Sequence, residues 1–306
     1  MGEFIIAHDF GTTGNKATLY NKQGQLLHSV FSGYKTNYPR VNWAEQNPED
    51  WWQAVCESTR KLIKDSKISK EEVAVISFSG QMMGCLPLDK KGNPLHSSII
   101  WADQRSTKQA QLLKKELGEE KVYNITGHKI SSTYSVEKIM WIKDNEPDIY
   151  NKTYKFVQAE DYIAYKLTGN FVTAYSDACG MNLFDIHEKK WSPEIMETAE
   201  IDQDKLPEPH SSLDVVGEVS PKVADKVGLK PGTPVVIGSG DGASATVGAG
   251  VVEKGSAYNY IGSSSWIALA SEEPFIDPER KTFNWIYLDP EMYIRCRTMQ
   301  SAAASY

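Results

Sequence analysis

Cysteine, histidine, long apolar runs and excess positive charge are all scarce in this chain. The four cysteines, Cys56, Cys85, Cys179 and Cys296, are scattered over 306 residues without metal or disulfide spacing. They read as reduced thiols and suggest a cytoplasmic protein. The six histidines show no ligand spacing, which argues against a structural zinc. No apolar run approaches the roughly 18–20 residues that a membrane span needs, so no membrane partner is expected. The N-terminus opens on an acid and a strand, not a basic segment followed by a long apolar region, so no signal peptide is read. Lys and Arg number 33 against 40 Asp and Glu, a net charge of −7, which argues against a nucleic-acid partner. What remains is a chain that is 41% hydrophobic, enough for ordinary cores, with a length that suggests two domains.

Against these absences the first twenty residues stand out. An apolar run from Phe4 ends at Asp9, a Gly/Thr turn follows over Gly11-Thr12-Thr13-Gly14, and a second apolar run continues past Lys16 to Tyr20. The pattern reads as a β-hairpin whose turn presents backbone N–H groups and hydroxyls, with an acid at its base. Successive N–H groups in such a turn form an anion-binding concavity, and Asp9 is placed to hold hydrated Mg²⁺ against the same anion. A nucleotide phosphate is the obvious anion. A second turn of this kind lies at Gly262-Ser263-Ser264-Ser265, which suggests two related lobes closing on one nucleotide.

Between these turns helical and strand-like pieces alternate. Residues 3–33 read as three strands. Asn47 caps a helix with Pro48 at its first position and Glu49 and Asp50 in its first turn. Val73–Phe78 is a short apolar strand. Ser106–Leu117, Val136–Asn145 and Glu160–Leu167 read as helices, Lys155–Gln158 as a strand, and Trp191–Asp214 as irregular surface structure. A helix from Ser220-Pro221 stops at Gly228, and strand Pro234–Gly238 delivers Ser239-Gly240-Asp241-Gly242 at its end, followed by a small-residue helix to Gly250. From about Glu253 the opening pattern restarts with strands Ser256–Ile261, Trp266–Ala270 and Met292–Met299. Ser301–Ser305 reads as the start of a helix. Residues 1–252 are therefore expected to form one complete lobe on a mixed sheet of about five strands, order 3-2-1-4-5, with helices on both faces. Residues 253–306 are expected to be the incomplete start of a second lobe.

Five segments together resemble the FGGY family of carbohydrate kinases, within the actin/hexokinase-like (ribonuclease H-like) α/β fold. They are Asp9–Gly14, Ser79-Gly-Gln-Met-Met-Gly84, Trp101-Ala-Asp-Gln-Arg105, Gly238-Ser-Gly-Asp-Gly242 and Gly262–Ser265. The xylulokinase sub-family is the most similar. Its members usually carry His where this chain has Met83, and Asn where it has Gly242, both facing the sugar. The resemblance implies ATP and Mg²⁺ as cofactors, a small sugar as substrate, a homodimer, and an adenosine site beyond residue 306. It implies transfer of the γ-phosphoryl group of ATP to a sugar hydroxyl, with D-xylulose first and another keto-pentose, gluconate or a polyol as alternatives. A non-catalytic sugar-binding relative is the other class, and the better description of these residues alone.

On that resemblance Asp241 is the general base. Asp9 and Asp241 are the metal acids. Gly11, Thr12, Thr13 and Lys16 meet the phosphates from the first lobe, and Gly262, Ser263 and Ser264 from the second. Gln81, Met82, Met83, Trp101, Asp103, Arg105 and Asp241 form the sugar site. Each has a plainer reading: Asp9 a hairpin turn, Asp241 or Asp103 a helix cap, Arg105 an ion pair, Met82 and Met83 core filler. Trp51, Trp52, Trp141 and Trp285 are assigned to packing.

Overall fold

The computed structural model describes residues 2–261 and 265–299. The second turn, Gly262, Ser263 and Ser264, and the helix expected at 301–305 lie outside them.

Strands β1 (Phe4–Phe10), β2 (Gly14–Asn21) and β3 (Leu26–Gly33) form the expected antiparallel meander. Helix α1 (Pro48–Ser66) starts where the sequence places it, with the Asn47 Oδ1 accepting from the Glu49 N–H at 3.2 Å. Strand β4 (Val73–Gly80) lies parallel to β1. Helices α2 (Ser135–Asn145) and α3 (Ala159–Thr168) follow, α3 closing at Gly169 in the left-handed region. Then come strand β5 (Val215–Glu218), helix α4 (Pro221–Val227), strand β6 (Pro234–Val236), the two-residue strand β7 (Ser239–Gly240) and helix α5 (Asp241–Gly248).

The main sheet runs β5-β6-β4-β1-β2-β3, with β7 also pairing β4. The expected order stands but the strand count is corrected: β5 extends the sheet antiparallel to β6 beyond the expected edge and β7 pairs β4, making seven strands in place of five. Strand alternation divides the side chains. Ile6, His8 and Phe10 of β1 point into a core shared with Ala17, Leu19, Ile76 and Phe78, which α1, α3 and α4 cover with Trp51, Trp52, Tyr162 and Val227. Burying each large apolar side chain contributes about 1.5–3 kcal/mol. Ile5 and Asp9 face the other side. On this side a cavity is lined by the strands and by helix α5.

A second correction concerns the 191–214 stretch, where Ser192 caps a helix over Pro193–Ala199. The proline at its first position is a helix start, not an irregular signal. The chain then builds a separate four-stranded antiparallel sheet from β8 (Ala257–Ile261), β9 (Ser265–Ser271), β10 (Phe283–Ile286) and β11 (Tyr293–Met299), in the order β8-β9-β11-β10. Strand β10 was not anticipated. It docks this sheet onto the middle of the chain. Asn284 and Ile286 are fully buried, the Asn284 N–H donates to the Gly127 carbonyl at 3.3 Å, and the Tyr123 hydroxyl donates to the Thr282 carbonyl at 2.8 Å.

Candidate active site

The Gly11–Gly14 turn is held from inside. The Gly11 N–H donates to the Gly14 carbonyl at 3.0 Å, and the Tyr34 hydroxyl donates to the Gly11 carbonyl at 2.6 Å. The Thr13 carbonyl accepts from the Tyr34 N–H at 3.2 Å, and the Thr12 carbonyl accepts from Gln46 Nε2 at 2.7 Å. With these carbonyls tied into the protein, the turn keeps one conformation. Beneath it a buried polar network does the same for the strands. The His8 ring contacts Asn15 at 3.1–3.2 Å and Thr59 at 3.2 Å, and Asn15 Nδ2 donates to Ser58 at 2.8 Å. Burial lowers His8 to about 4, so the ring is neutral at physiological pH.

Beside the turn, a cavity of about 450 Å³ opens over the second face of the sheet, lined among others by Asp9, Lys16, Thr18, Ser79, Asp241 and Ser244. Asp9 sits opposite Lys16 on β2 and Ser79 on β4. Its carboxyl is raised above the ordinary range by burial, against the opposing pull of the Lys16 ammonium and a hydrogen bond from Ser79. Asp241 is the first residue of α5, delivered by β7. Asp241 opens to the cavity, where desolvation by the surrounding protein pushes it up to about 6; the charges of Asp177 and Asp9 push the same way, and the Gly242 N–H opposes them. Two carboxyls lining one cavity, Asp241 raised in part by Asp9, among further oxygen donors, suit a hard cation. Among the described residues no group of three or more His, Cys, Asp or Glu could hold a metal ion. Two carboxylates fit a hydrated Mg²⁺ that takes its remaining ligands from water and phosphate. Asp9 and Asp241 would hold it, and it would supply charge neutralisation for a phosphoryl group.

The expected sugar-side residues divide. The Trp101 indole is exposed and its N–H donates to Thr12 Oγ1 at 3.0 Å, joining that segment to the turn. Gln81 and Met82 are buried; Gln81 Nε2 donates to Gln46 Oε1 at 2.7 Å, while Gln81 Oε1 has no partner among the described residues. Met83 has a left-handed backbone, φ 64°, with its carbonyl held by Lys138 Nζ at 2.6 Å. Asp103 and Arg105 are corrected. The Asp103 carboxylate is fully buried and accepts from the Ala44 N–H at 2.6 Å and from the Arg105 backbone N–H, Nε and Nη2 at 2.7–3.0 Å. Those donors occupy its lone pairs. Arg105 also pairs with Glu45 at 2.7 Å and stacks its guanidinium 3.7 Å over Trp43. The pair belongs to the scaffold, not to a ligand. Nor does Asp103 cap the helix that follows, which begins after Ser106.

Two residues that organise the site were missed. Gln46, fully buried, donates to the Thr12 carbonyl and to Thr36 Oγ1 and accepts from Trp51 Nε1 and Gln81 Nε2. Lys138, on α2, donates to the carbonyls of Met83, Ile100 and Thr133 at 2.6–2.9 Å, gripping the two segments that carry Met83 and Trp101. Burial lowers it to about 8. A lysine inside the run Val136-Glu-Lys-Ile-Met-Trp-Ile142 was the available signal. Behind Asp241, Glu160 and Asp177 are both fully buried, and Glu160 is raised well above the ordinary range by burial and by Asp177. Burial raises Asp177 as well, so both carboxyls favour the protonated form more than a free carboxyl does.

Residues 4–248 match the FGGY family of carbohydrate kinases, N-terminal domain. The chain belongs to this family. It is 33% identical over 269 residues to a xylulose kinase of Staphylococcus xylosus, covering 88% of this chain and 55% of that protein. It is 31% identical over 294 residues to a gluconokinase of Bacillus subtilis, covering 96% and 57%. The ligand-bound xylulose kinase of Lactobacillus acidophilus superposes with a TM-score of 0.92 at 26% identity, covering 98% of this chain and 61% of that one. The chain spans about half the length of the curated relatives it matches. The actin/hexokinase-like fold is thereby shown. No helix among the described residues is long and apolar enough to cross a membrane.

Proposed function

We propose that the protein is a cytoplasmic ATP-dependent sugar kinase with Asp241 as its general base. One observation carries this reading: Asp241, pushed up to about 6, lines the same cavity as Asp9 and Lys16. In this reading residues from about 253 open the second lobe. The sugar hydroxyl gives its proton to the Asp241 carboxylate as its oxygen bonds to the γ-phosphorus and the bond to the ADP oxygen breaks. The Lys16 ammonium and the amides of Thr12 and Thr13 hold the phosphate oxygens, and the turn's fixed carbonyls keep those donors preorganised; the Gly11 amide, committed to the Gly14 carbonyl, shapes the turn instead. Gly262, Ser263 and Ser264, which lie outside the described residues, are the phosphate donors expected of the second turn. Gln81 Oε1, a buried acceptor without a partner, takes a sugar hydroxyl. Trp101 covers the C–H face.

D-xylulose is the first substrate to test, because xylulose kinases are prominent among the relatives. Gluconate stands second, since gluconokinases match nearly as well and Met83 removes the imidazole that the xylulokinase pattern carries. The test is sugar-dependent ADP release by the intact protein across pentuloses, aldonates and polyols. Asp241→Asn should lower turnover about 10²–10⁴-fold, the usual span for a general base, with sugar affinity kept. Turnover within a few-fold of the parent returns Asp241 to the role of a helix-capping residue.

A further inference from the structure

Three pieces of chain that are far apart in sequence meet at one side chain. Lys138, on α2, is fully buried, and its Nζ donates to the carbonyls of Met83 at 2.6 Å, Ile100 at 2.9 Å and Thr133 at 2.6 Å. An ammonium has three donors and no acceptor, so the three carbonyls saturate it. A neutral amine keeps two donors and turns a lone pair toward the third carbonyl. One of the three segments must therefore come loose when the proton leaves.

Two of these carbonyls belong to the segments expected on the sugar side. Met83 has φ 64°, a backbone conformation that few side chains adopt, so the bond to its carbonyl helps to hold it there. Ile100 precedes Trp101, whose indole N–H reaches Thr12 Oγ1 in the phosphate turn at 3.0 Å. Unlike the buried Met82 next to them, Met83 is half-buried and Trp101 is exposed, so neither is closed into the core. The turn itself has separate supports in Tyr34 and Gln46.

Resting on the kinase reading above, we propose that Lys138 is a positioning residue for the sugar, whose charge holds Met83 and Trp101 in the geometry that the sugar meets. The charge is poised to change. Burial pushes Lys138 down to about 8; Cys85, Asp103 and Glu137 oppose the shift and Arg105 adds to it. The ammonium form dominates at neutral pH and the amine form above about 8. Sugar binding should therefore weaken in mild alkali, while phosphate binding, which rests on the separately held turn, should not.

The test measures KM for D-xylulose, for gluconate and for ATP from pH 7.5 to 9.5 on the intact protein, with calorimetric sugar binding alongside. None of these ligands gains or loses a proton in that range. In the parent, sugar KM should rise about tenfold as the binding-competent ammonium form is depleted, while ATP KM stays within about twofold. Lys138→Met keeps the apolar stem and removes the charge. It should show the raised sugar KM already at pH 7.5 and no further rise, with kcat within about threefold, the signature of lost binding without lost chemistry. Glu137→Gln should keep the alkaline rise, which separates Lys138 from the neighbouring carboxyl that burial pushes up to about 8. A parent sugar KM that is flat to pH 9.5, a folded Lys138→Met with the parental sugar KM, a rise abolished in Glu137→Gln, or equal rises for sugar and ATP overturns the inference while leaving the kinase reading intact. Should Lys138→Met fail to fold, the parent and Glu137→Gln profiles decide it. Absence of phosphorylation with any sugar overturns the kinase reading, and the calorimetric affinities over the same pH range then decide this one. Absence of both turnover and binding overturns both.

Discussion

Replacing Gln46 with methionine isolates the hydrogen bonds that hold the phosphate turn. Methionine is close to glutamine in length and volume, so the change leaves little cavity and removes only polar atoms. Gln46 has four partners. Two of them tolerate the loss: the Thr12 carbonyl still accepts from Thr36 Oγ1 at 3.3 Å, and that hydroxyl is free to turn. The other two, Trp51 Nε1 and Gln81 Nε2, are buried donors whose partner disappears. A buried polar group left without a partner costs about 1–3 kcal/mol, so two cost about 2–6 kcal/mol. That is a large part of an ordinary domain's stability of about 5–15 kcal/mol. Urea unfolding followed by circular dichroism should show the midpoint falling with the slope unchanged. Gln46→Glu separates position from charge. It keeps both acceptors but sets an anion against the Thr12 carbonyl, so it should loosen the turn and raise the KM for ATP more than it lowers kcat. A Gln46→Met protein within 1 kcal/mol of the parent would show that water or a rearranged Gln81 satisfies these donors and that Gln46 is no hub.

The remaining expectations concern charge and specificity. With Asp241 at about 6, kcat/KM should rise with pH through about 6 and then level, because the base must be ionised; a flat profile from pH 5 to 8 removes it from that role. Its raised folded-state value also means a stability contribution present below the ordinary carboxylate range and lost as pH rises through about 6. Asp241→Asn should therefore gain thermal stability relative to the parent at pH 8 and not at pH 4. Glu160 is raised in the same direction, so Glu160→Gln should raise the melting temperature at pH 8.5, with the gain shrinking toward acid pH; an equal gain at all pH values would refute a raised Glu160. Asp103→Ala strands Arg105 in the interior and should cost about 3–5 kcal/mol, the usual loss on breaking a buried pair, while equilibrium sugar affinity of the folded protein stays near that of the parent. Met83→His suits the left-handed backbone at that position, which histidine adopts more readily than most side chains, and should sharpen preference toward D-xylulose; unchanged relative kcat/KM across the sugar panel would count against it.

The parts of this molecule that sequence reasoning reaches are those written in local rules. The hairpin at Asp9 and the capped helix at Asn47 depend on residues adjacent in the chain and form as read, while the strand delivering Asp241 forms in two short pieces, Pro234–Val236 and Ser239–Gly240. Position on a strand also shows which face a side chain takes, so Asp9 and Lys16 could be set together in advance. What escapes depends on distant partners. Asp103 resembles a ligand residue because carboxylates at such positions often are, but its fate is decided by Ala44 and Glu45, about sixty positions earlier, which bring it a backbone donor and hold its arginine. Gln46 precedes a helix and carries no periodic signal, and only the fold shows that it reaches Thr12, Thr36, Trp51 and Gln81 at once.

Trp285 is the sharpest case, because the sequence contains both halves of the evidence without the link between them. Gly242 is a visible departure from the xylulokinase pattern, and taken alone it reads as a lost polar contact. Trp285 is a tryptophan assigned to packing, on a strand that was not anticipated. Once β10 is docked, the glycine and the tryptophan become a single feature, since neither a larger residue at 242 nor a differently placed ring is compatible with the other.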